Sequence, residues 1–538
     1  MDDDIYMTLP AISYLKFPFC LKKDQIEAAH VWVTNGFRGT ILYSSGTGKT
    51  EIAFECARRA AAKDSTLTTA IDNKECSSYP SDDSCYSSSF HILYLVPRIV
   101  LIEQNYRRLL AYGIPAERIG VYFGERKQIQ EITISTYNSI INNLDLVRKS
   151  NMVVFDEVHL VSNTAKTFSK IFDVIVEDHS KAILGLTATI DETDHRYNTI
   201  MTLLPPVKKY PIKDAVKDRR LARPIIIPLK VDLTDGEQKI YDGCSAKIKN
   251  ISNRFKKYDA KSMSLLLSKG GFVSGLAKAW FLNVRKRQLL LSCAENKLST
   301  SINMIIKKHS DERIMIFSET LDSINKLRDR LESEGIKAMA IDSKMNSIER
   351  QVILSKWGRD FYPLLSVHTL EIGYDVPQVR IEIILANTSN MNQVIQRIGR
   401  VIRKYEGKEL ALIYVVYVSD TKDDNILNVV KKAIGTKQEE RREGKEKGGD
   451  QSNIKKRLQG AYNLIESSLH EPVIFEEIHK QKKLFRVRSS KEKSKFYDVD
   501  AEKKTCSCPD FRFRLTKCKH ILATEFVSPS DTSTTAAA

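Results

Sequence analysis

The sequence lacks the features that mark membrane and secreted proteins. No apolar run approaches the ~20 residues that a bilayer-spanning helix needs. Three aspartates follow Met1, whereas a secretory signal peptide begins with positive charge. The nine cysteines are odd in number and mostly scattered, which argues against a disulfide framework. We therefore expect a soluble, cytoplasmic protein with no membrane association.

Acidic residues are scarce in two regions of the chain. Residues 245–288 carry eleven basic side chains against Asp259 alone, and residues 478–520 carry fourteen basic side chains against five acidic ones. The rest of the chain is close to neutral. A regional excess is what contact with a nucleic-acid backbone requires, although a lone charge run is more often a solvated helix face or a flexible tail. Charge alone favours the second interpretation, so the choice depends on motifs.

The length and the apolar runs together indicate several domains. At 538 residues the chain is long enough for three or four domains of about 150 residues. Two series of short apolar runs, separated by helical stretches, predict two tandem α/β domains with parallel sheets. The runs are 40–43, 91–96, 132–134, 152–155 and 182–186, then 313–317, 338–341, 363–367, 381–385 and 411–418.

Segments of different composition separate these two units. A stretch rich in Ser, Thr and Asp has little to bury and is predicted to be a disordered insertion, whereas a basic stretch without strand runs is predicted to be a helical insert. We expect an N-terminal segment 1–18, a first domain 19–210 with the insertion at 64–89, a connector and basic helical insert 211–300, a second domain 301–435, a charged linker 436–460, a C-terminal module 470–527 and a disordered tail 528–538.

Residues 44–50 form a candidate phosphate-binding loop. They read SSGTGKT and lie between the first strand run and a helical stretch. Glycines let backbone N–H groups approach phosphates, the helix N-terminus adds positive potential, Lys49 reaches the β- and γ-phosphates, and the Thr50 hydroxyl can bind Mg²⁺. The strict pattern has glycine where this chain has Tyr43. The predicted ATP-contacting residues of the loop are Ser45, Gly46, Thr47, Gly48, Lys49 and Thr50.

A later strand run ends in two adjacent carboxylates, Asp156 and Glu157. In an ATP site the first would hold Mg²⁺ and the second would polarise the attacking water. Acidic pairs after a strand also occur as loop or helix-cap residues. The phosphate-binding loop upstream, in the expected chain order, favours the ATP site, with Lys49, Asp156 and Glu157 as catalytic residues.

The series of motifs resembles that of superfamily 2 helicases. DEVH at 156–159 is similar to the DEAD/DEAH box of that family, and GLTAT at 185–189 is similar to the motif that couples hydrolysis to domain movement. The resemblance implies two tandem RecA-like P-loop domains with ATP bound between them. It also implies that Gln25 reads adenine and that Gly373 and Asp375 take part in nucleotide binding. The nucleic-acid contacts that it implies are Pro97, Arg98, Ser135, Thr136, Ser318 and Thr369.

QRIGRVIR at 396–403 is the most informative motif of the second domain. Phosphoryl transfer spreads charge over the equatorial oxygens, and arginines from a second domain stabilise that charge only when the cleft closes. The resemblance implies that Arg400 and Arg403 are these arginines and that Gln396 lies near the γ-phosphate. Surface arginines on a helix are the ordinary alternative, and this spacing after a strand disfavours it. Hydrolysis would then step the two domains along a strand.

The resemblance to superfamily 2 helicases covers residues 19–432, and several stretches of it, including NGFRG at 35–39 and 370–403, are most similar to archaeal XPB-like helicases. That subfamily implies action on DNA with 3′ to 5′ movement, and its thumb-like element resembles residues 245–288. An RNA helicase remains an alternative, because the same motif set serves both nucleic acids and contacts mainly the nucleic-acid backbone. A nucleic-acid-binding scaffold with weak ATPase activity is a third, opposed by the intact catalytic residues. A protein partner such as a nuclease is compatible with all three.

Three thiols and one imidazole cluster near the C-terminus, at Cys506, Cys508, Cys518 and His520. Zn²⁺ takes four tetrahedral N or S ligands in closed structural sites, and this set supplies them. The pattern resembles a SWIM-type zinc finger. Unrelated buried cysteines are the weaker interpretation, because all four donors lie within fifteen residues. Phenylalanine alternates with arginine at 511–514, which suits stacking on bases and contact with phosphates, although a protein-binding module is an alternative.

Overall fold

The fold is given by a computed structural model. It describes residues 10–62, 90–161, 166–176, 178–190, 197–342, 345–367, 376–385, 391–435, 451–468, 474–479, 482–490, 492, 494–514 and 516–527. The predicted insertion at 64–89 and the predicted tail lie outside the described residues, as do 436–450 of the predicted linker and the predicted site residues Thr369, Gly373 and Asp375. Among the helices in these ranges, none combines the length and the apolar character needed to cross a membrane.

The described strands and helices follow one another in the order of the two predicted series. The strands are β1 (Arg38–Tyr43), β2 (Ile92–Val96), β3 (Ile119–Phe123), β4 (Arg126–Lys127), β5 (Ile132–Thr136), β6 (Met152–Asp156), β7 (Ala182–Thr187), β8 (Pro206–Tyr210), β9 (Arg223–Val231), β10 (Ile314–Ser318), β11 (Met339–Ile341), β12 (Pro363–Val367), β13 (Ile381–Ile384), β14 (Leu410–Val418), β15 (Ile474–His479), β16 (Lys482–Arg488), β17 (Phe496–Asp500) and β18 (Thr505–Cys506). The helices are α1 (Lys23–Thr34), α2 (Lys49–Ala61), α3 (Ile99–Ala111), α4 (Tyr137–Ile140), α5 (Leu144–Lys149), α6 (Lys166–Val176), α7 (Asn198–Leu203), α8 (Ile212–Lys217), α9 (Asp235–Phe255), α10 (Ala260–Ser264), α11 (Gly271–Ser292), α12 (Glu295–Lys308), α13 (Leu321–Ser333), α14 (Ser347–Lys356), α15 (Met391–Val401), α16 (Asn425–Ile434), α17 (Gln451–Ser467), α18 (Pro509–Arg514) and α19 (Lys519–Val527).

The first sheet has the strand order β4-β3-β5-β2-β6-β7-β1-β8 and is parallel apart from the short β3-β4 hairpin. Every residue of β2 and β6 is buried, because helices cover both faces of such a sheet. Only β7 separates β1 from β6. The loop that follows β1 and the carboxylates at the end of β6 therefore lie at the same edge of the sheet.

The second sheet has the order β11-β12-β10-β13-β14-β9, and all its pairs are parallel. Strand β9 comes from the segment predicted to be a connector, and it pairs with β14 along its whole length. Its prolines, Pro224 and Pro228, cannot donate ladder hydrogen bonds and are tolerated because β9 is an edge strand. The two parallel sheets confirm the predicted fold class of two tandem RecA-like domains.

Helices α9 and α11 form an antiparallel hairpin between β9 and β10 in the sequence, with α10 at its far end. Thr234 caps α9 through a reciprocal pair of bonds with Glu237. A small core of its own stabilises the hairpin, and the Trp280 indole N–H donates to Ser252 Oγ at 2.9 Å. The buried residues of that core are Met263, Leu266, Ala277 and Trp280. The hairpin is the helical insert.

A third sheet, β15-β16-β17-β18, is antiparallel and belongs to the C-terminal module. Helix α17 connects this module to the second domain, since Glu466 accepts hydrogen bonds from Tyr414 Oη and Lys308 Nζ, both at 2.7 Å. Buried residues of α17, the third sheet and α19 belong to one apolar cluster with the second sheet. The C-terminal module therefore packs on the second domain.

The scattered cysteines predicted no disulfide framework, and one of them departs from that expectation. Cys20 is disulfide-bonded. Cys56, Cys244 and Cys293 are free thiols, as are the three clustered cysteines near the C-terminus.

Candidate ATP site and zinc centre

The phosphate-binding loop takes a backbone conformation that its glycines permit. Gly46 and Gly48 have φ of +82° and +91°, and Gly48 is the residue before the first turn of α2. A Cβ on Gly48 would lie 2.3 Å from the Gln25 side-chain nitrogen. Conformation and close approach therefore both require glycine at this position. The N–H groups at the start of α2 are directed at the place where phosphates would bind.

The Gln25 side chain binds the phosphate-binding loop through two hydrogen bonds. This buried side chain donates from Nε2 to the carbonyls of Thr47 and Gly48, each at 3.3 Å. Its Oε1 accepts from the backbone N–H of Lys22 at 2.9 Å, which closes the first turn of α1. The residue predicted to read adenine is thus bonded to the residues predicted to hold the phosphates.

Arg220 is a second support of the loop, and the sequence analysis did not identify it. Its Nη2 donates to the carbonyl of Thr47 at 2.6 Å, and its Nη1 pairs with Asp24 of α1. Arg220 lies just ahead of β9, at the entry to the second sheet. The pairing joins residues 173 positions apart, so no local pattern could have signalled it.

Lys49 forms an ion pair with Glu157, with Nζ 3.0 Å from Oε1. Burial raises the pKa of Asp156 to about 6, and the negative charge of Glu157 adds to that effect. Burial also acts to raise the pKa of Glu157, but Lys49 and His159 together hold it below its ordinary value. Two adjacent buried carboxylates near a single lysine leave uncompensated negative charge.

That excess negative charge fits a divalent cation. Carboxylate and hydroxyl oxygens are the ligands that Mg²⁺ prefers. Asp156 and the Thr50 hydroxyl would hold the ion, which neutralises phosphate charge when bound with ATP. The residues present therefore suit Mg²⁺ and ATP, as the sequence predicted.

Glu157 is tied to the GLTAT motif. It has a left-handed backbone conformation, with φ of +54°, which is uncommon for a residue with a side chain. His159 Nδ1 lies 2.9 Å from Thr187 Oγ1 and 3.3 Å from Glu157 Oε2, and the Thr187 hydroxyl donates to the same carboxylate oxygen at 3.3 Å. A change at the Glu157 carboxylate would therefore directly affect Thr187 at the end of β7.

Helix α15, with the residues that follow it, packs directly on the phosphate-binding loop. A Cβ on Gly46 would lie 2.8 Å from Arg403 Cγ, and a Cβ on Gly399 would lie 2.8 Å from Ser45 Cβ. Arg400 is buried in the same helix. The described structure therefore brings together the loop, Asp156 with Glu157, helix α15 with Gln396 and Arg400, and Arg403 two residues beyond that helix.

A buried acidic residue of β13 and a buried basic residue of α15 were also missed from the sequence. Glu382, in the middle of β13, and Arg397 are both 0% exposed. Within the described residues, neither carboxylate oxygen of Glu382 and no guanidinium nitrogen of Arg397 has a hydrogen-bond partner. The Arg397 guanidinium lies 5.4 Å from the Phe317 ring centroid. Burial raises the pKa of Glu382 to about 8, against the opposing charges of Arg397 and Arg400.

The predicted nucleic-acid contacts have different surroundings. Ser135 and Ser318 are 0% and 0% exposed, and their hydroxyls bond to the Tyr122 carbonyl and to Ser323 Oγ. The Thr136 side chain caps α4 by accepting from the Ser139 N–H at 3.2 Å. Pro97 is half-buried and Arg98 is exposed. The hydroxyls of Ser135, Thr136 and Ser318 therefore form hydrogen bonds within their own domains. A sequence motif does not reveal such bonds.

The four candidate zinc ligands converge at the C-terminal module. Their ligand atoms all lie within 4.8 Å of one another, and all four residues are buried. His520 Nδ1 lies 3.9 Å from Cys506 Sγ and 3.8 Å from Cys518 Sγ. Backbone N–H groups of Cys508 and Phe511 donate to Cys506 Sγ and Cys508 Sγ, each at 3.4 Å. Such donors stabilise thiolates, so the set fits a closed structural zinc site in which Nδ1 is the imidazole ligand.

Comparison with protein families agrees with this geometry. Residues 19–192 match the family described as type III restriction enzyme, res subunit, and residues 296–405 match the helicase conserved C-terminal domain. Residues 492–527 match the SWIM zinc finger. The chain carries a superfamily 2 helicase core and a SWIM zinc finger. The helicase is an ATP-hydrolysing enzyme, and the predicted family and cofactors are confirmed.

Two helicase relatives match large parts of the chain. The DNA 3′-5′ translocase XPB2 of Sulfurisphaera tokodaii is 26% identical over 418 residues, which are 74% of this chain and 83% of that protein. The DNA 3′-5′ helicase XPB of Mycobacterium tuberculosis is 25% identical over 345 residues, which are 62% of this chain and 54% of that protein. This helicase thus spans most of the first relative and about half of the second.

Among solved structures, the ATP-dependent Type ISP restriction-modification enzyme LlaBIII bound to DNA has a similar fold. Its TM-score is 0.50 at 17% sequence identity, and the match covers 78% of this chain and 30% of that one. At this sequence identity the likeness concerns the fold alone.

Proposed function

We propose that this helicase is an ATP-driven motor on DNA that moves 3′ to 5′ along the strand it tracks. The main support for a motor is that α15, and Arg403 just beyond its end, pack against the phosphate-binding loop of the other domain. The relatives described above are a DNA 3′-5′ translocase and a DNA 3′-5′ helicase, which supports DNA as the track. The proposal includes a cytoplasmic location at the nucleoid, where such a track is available.

The ATP cleft supports a cycle in which ion pairs exchange partners. Lys49 pairs with Glu157 in the described structure and would leave that carboxylate when phosphates arrive. Glu157 would then be free to polarise the attacking water, while Arg400 and Arg403 stabilise the charge that develops on the transferred group. After hydrolysis the arginine contacts weaken and the cleft opens. Arg220 would transmit that movement, because it binds the loop and leads into the second sheet.

The helical insert supports nucleic acid as the partner. Its eleven basic residues include none that forms an ion pair within the described part of the chain. A protein binds a phosphate backbone when its basic side chains neutralise phosphates and release their counterions. Unpaired positive charge on the surface is suited to this. The fourteen basic residues of 478–520 extend the positive charge to the zinc module, which packs on the same domain.

Steady-state ATP hydrolysis tests the proposal. The purified protein is assayed alone and with single-stranded DNA, duplex DNA or RNA at matched phosphate and salt, with Glu157→Gln as the inactive control. We expect strong stimulation by DNA and weak stimulation by RNA. A preference for RNA would indicate an RNA helicase, and absence of hydrolysis under every condition would indicate a nucleic-acid-binding scaffold.

A further inference from the structure

The far end of the helical insert lies about one helix length from its base. The insert is anchored at its base, where Glu237 Oε1 accepts from the Glu295 N–H at 2.9 Å. Helix α9 has 21 residues and is therefore about 30 Å long. It ends at Phe255, followed by Lys256 in a left-handed conformation. The segment 256–272, which we call the tip, turns the chain back into α11.

Three large apolar side chains of the tip are more than 60% exposed, and Leu267 is 38% exposed. Tyr258 is 68% exposed, Leu265 is 62% exposed and Phe272 is 66% exposed. Other residues fill the small core of the insert, so these three are not needed for its packing. A cluster of exposed apolar side chains on a soluble protein marks an interaction site.

The two aromatic rings, of Tyr258 and Phe272, contact polar neighbours and are not held by burial. The Arg254 guanidinium lies 5.0 Å from the centroid of the Phe272 ring. Tyr258 Oη lies 3.2 Å from Asn253 Oδ1, to which it donates. Both neighbours belong to the last turn of α9, so the two aromatic rings project from the same end of the hairpin.

The charged residues around the tip indicate the kind of partner that it binds. Asp259 is the sole acidic residue of 245–288, and its carboxylate caps α10 by accepting from the Ser262 N–H at 2.7 Å. The sides of the hairpin carry exposed basic residues, namely Lys247, Lys249, Lys278, Arg285 and Lys286. The basic sides suit phosphates, and the apolar aromatic tip suits bases, because bases stack on aromatic rings.

We propose that Tyr258, Leu265 and Phe272 form a wedge that stacks on bases at the junction where a DNA duplex opens. The motor would drive the duplex against this wedge, so the enzyme separates strands in addition to moving along DNA. Apolar wedges unstack a base step at a cost of a few kcal/mol, and stacking on the rings offsets that cost. The wedge rests on the proposed DNA motor and identifies the part of the chain that opens the duplex.

The double variant Tyr258→Ser/Phe272→Ser tests the wedge. Leu282→Ser is the matched control, since Leu282 is 66% exposed on α11 of the same insert but away from the tip. We expect the double variant to keep DNA-stimulated ATP hydrolysis within about twofold of the unmodified protein and to lose at least about 90% of strand separation on a 3′-tailed duplex, the loss expected from about 1–3 kcal/mol of stacking per base. The control should retain both activities.

A fluorescent base reports the contact directly. With 2-aminopurine at the junction, binding of the unmodified protein should change its fluorescence, and the double variant should not. Strand separation by the double variant at the unmodified rate would overturn the wedge. A parallel loss of hydrolysis and strand separation would also overturn it and would assign the tip to gripping DNA. Absence of DNA-stimulated hydrolysis in the unmodified protein would instead overturn the DNA motor, and the wedge with it.

Discussion

Replacing the buried Glu382 with glutamine should make the second domain more stable at high pH and leave it nearly unchanged near pH 5. Glu382 has no hydrogen-bond partner within the described residues and is fully buried on β13. Ionisation there leaves a carboxylate without water, with only Arg397 and Arg400 to offset its charge. Glutamine keeps the shape and removes the ionisation.

The size and the sign of the effect follow from the pKa. Burial raises the pKa of Glu382 from 4.5 to about 8. Below pH 4.5 Glu382 is protonated in both the folded and the unfolded chain, so it does not lower the free energy of unfolding. Between the two values the unfolded chain ionises first, and the free energy of unfolding falls as pH rises. Above pH 8 the loss is complete and amounts to at most about 5 kcal/mol.

Thermal unfolding of the two proteins from pH 5 to pH 9 measures this difference. Hydrogen exchange of the β13 amides assigns it to the second domain. Glu332→Gln, at an exposed glutamate of α13, is the control and should show no such pH dependence. A stability difference that stays constant over this pH range, or a glutamine variant that is less stable at pH 9, would refute the reasoning.

Three further substitutions test the ATP site and the zinc centre. Lys49→Ala should lower ATP hydrolysis at least about 100-fold and leave DNA affinity, measured by fluorescence anisotropy, almost unchanged, because Lys49 lies in the candidate ATP site, where it pairs with Glu157; an equal loss of affinity would contradict separate sites. Arg403→Lys should lower kcat about 1,000-fold with nucleotide binding retained, since lysine lacks the fork of donors; an unchanged kcat would remove Arg403 from the chemistry. Cys518→Ser should release zinc and lower the thermal midpoint of the second domain as well, because the module shares a core with it; unchanged zinc content by atomic absorption would contradict a zinc site.

Much of the fold could be predicted because parallel strands covered on both faces appear as continuous apolar runs. Each such run of the two series lies in or beside a strand of the corresponding sheet. Strand β9 escaped prediction, since Pro224 and Pro228 interrupt its pattern and only its position at the sheet edge allows them. The family, the fold and the cofactors depended on motifs whose chemistry is local.

The supports of the ATP site could not be predicted, because they join distant parts of the chain. Arg220 reaches the Thr47 carbonyl across 173 positions. Glu382 occupies a strand position where an apolar residue is expected, and nothing nearby in sequence indicates Arg397 as its neighbour. The packing of the zinc module on the second domain likewise depends on contacts of α17 that charge and composition do not reveal.

Displacement of a fluorescent third strand from duplex DNA tests movement along DNA most directly. Triplex sites placed at increasing distances from a 3′ entry point are mixed with the protein and ATP, and release is followed in time. A DNA motor gives a lag that grows in proportion to distance, requires hydrolysable ATP and is abolished by Glu157→Gln. Release without a distance-dependent lag, or release that does not need hydrolysis, would contradict movement driven by the cleft between the two domains.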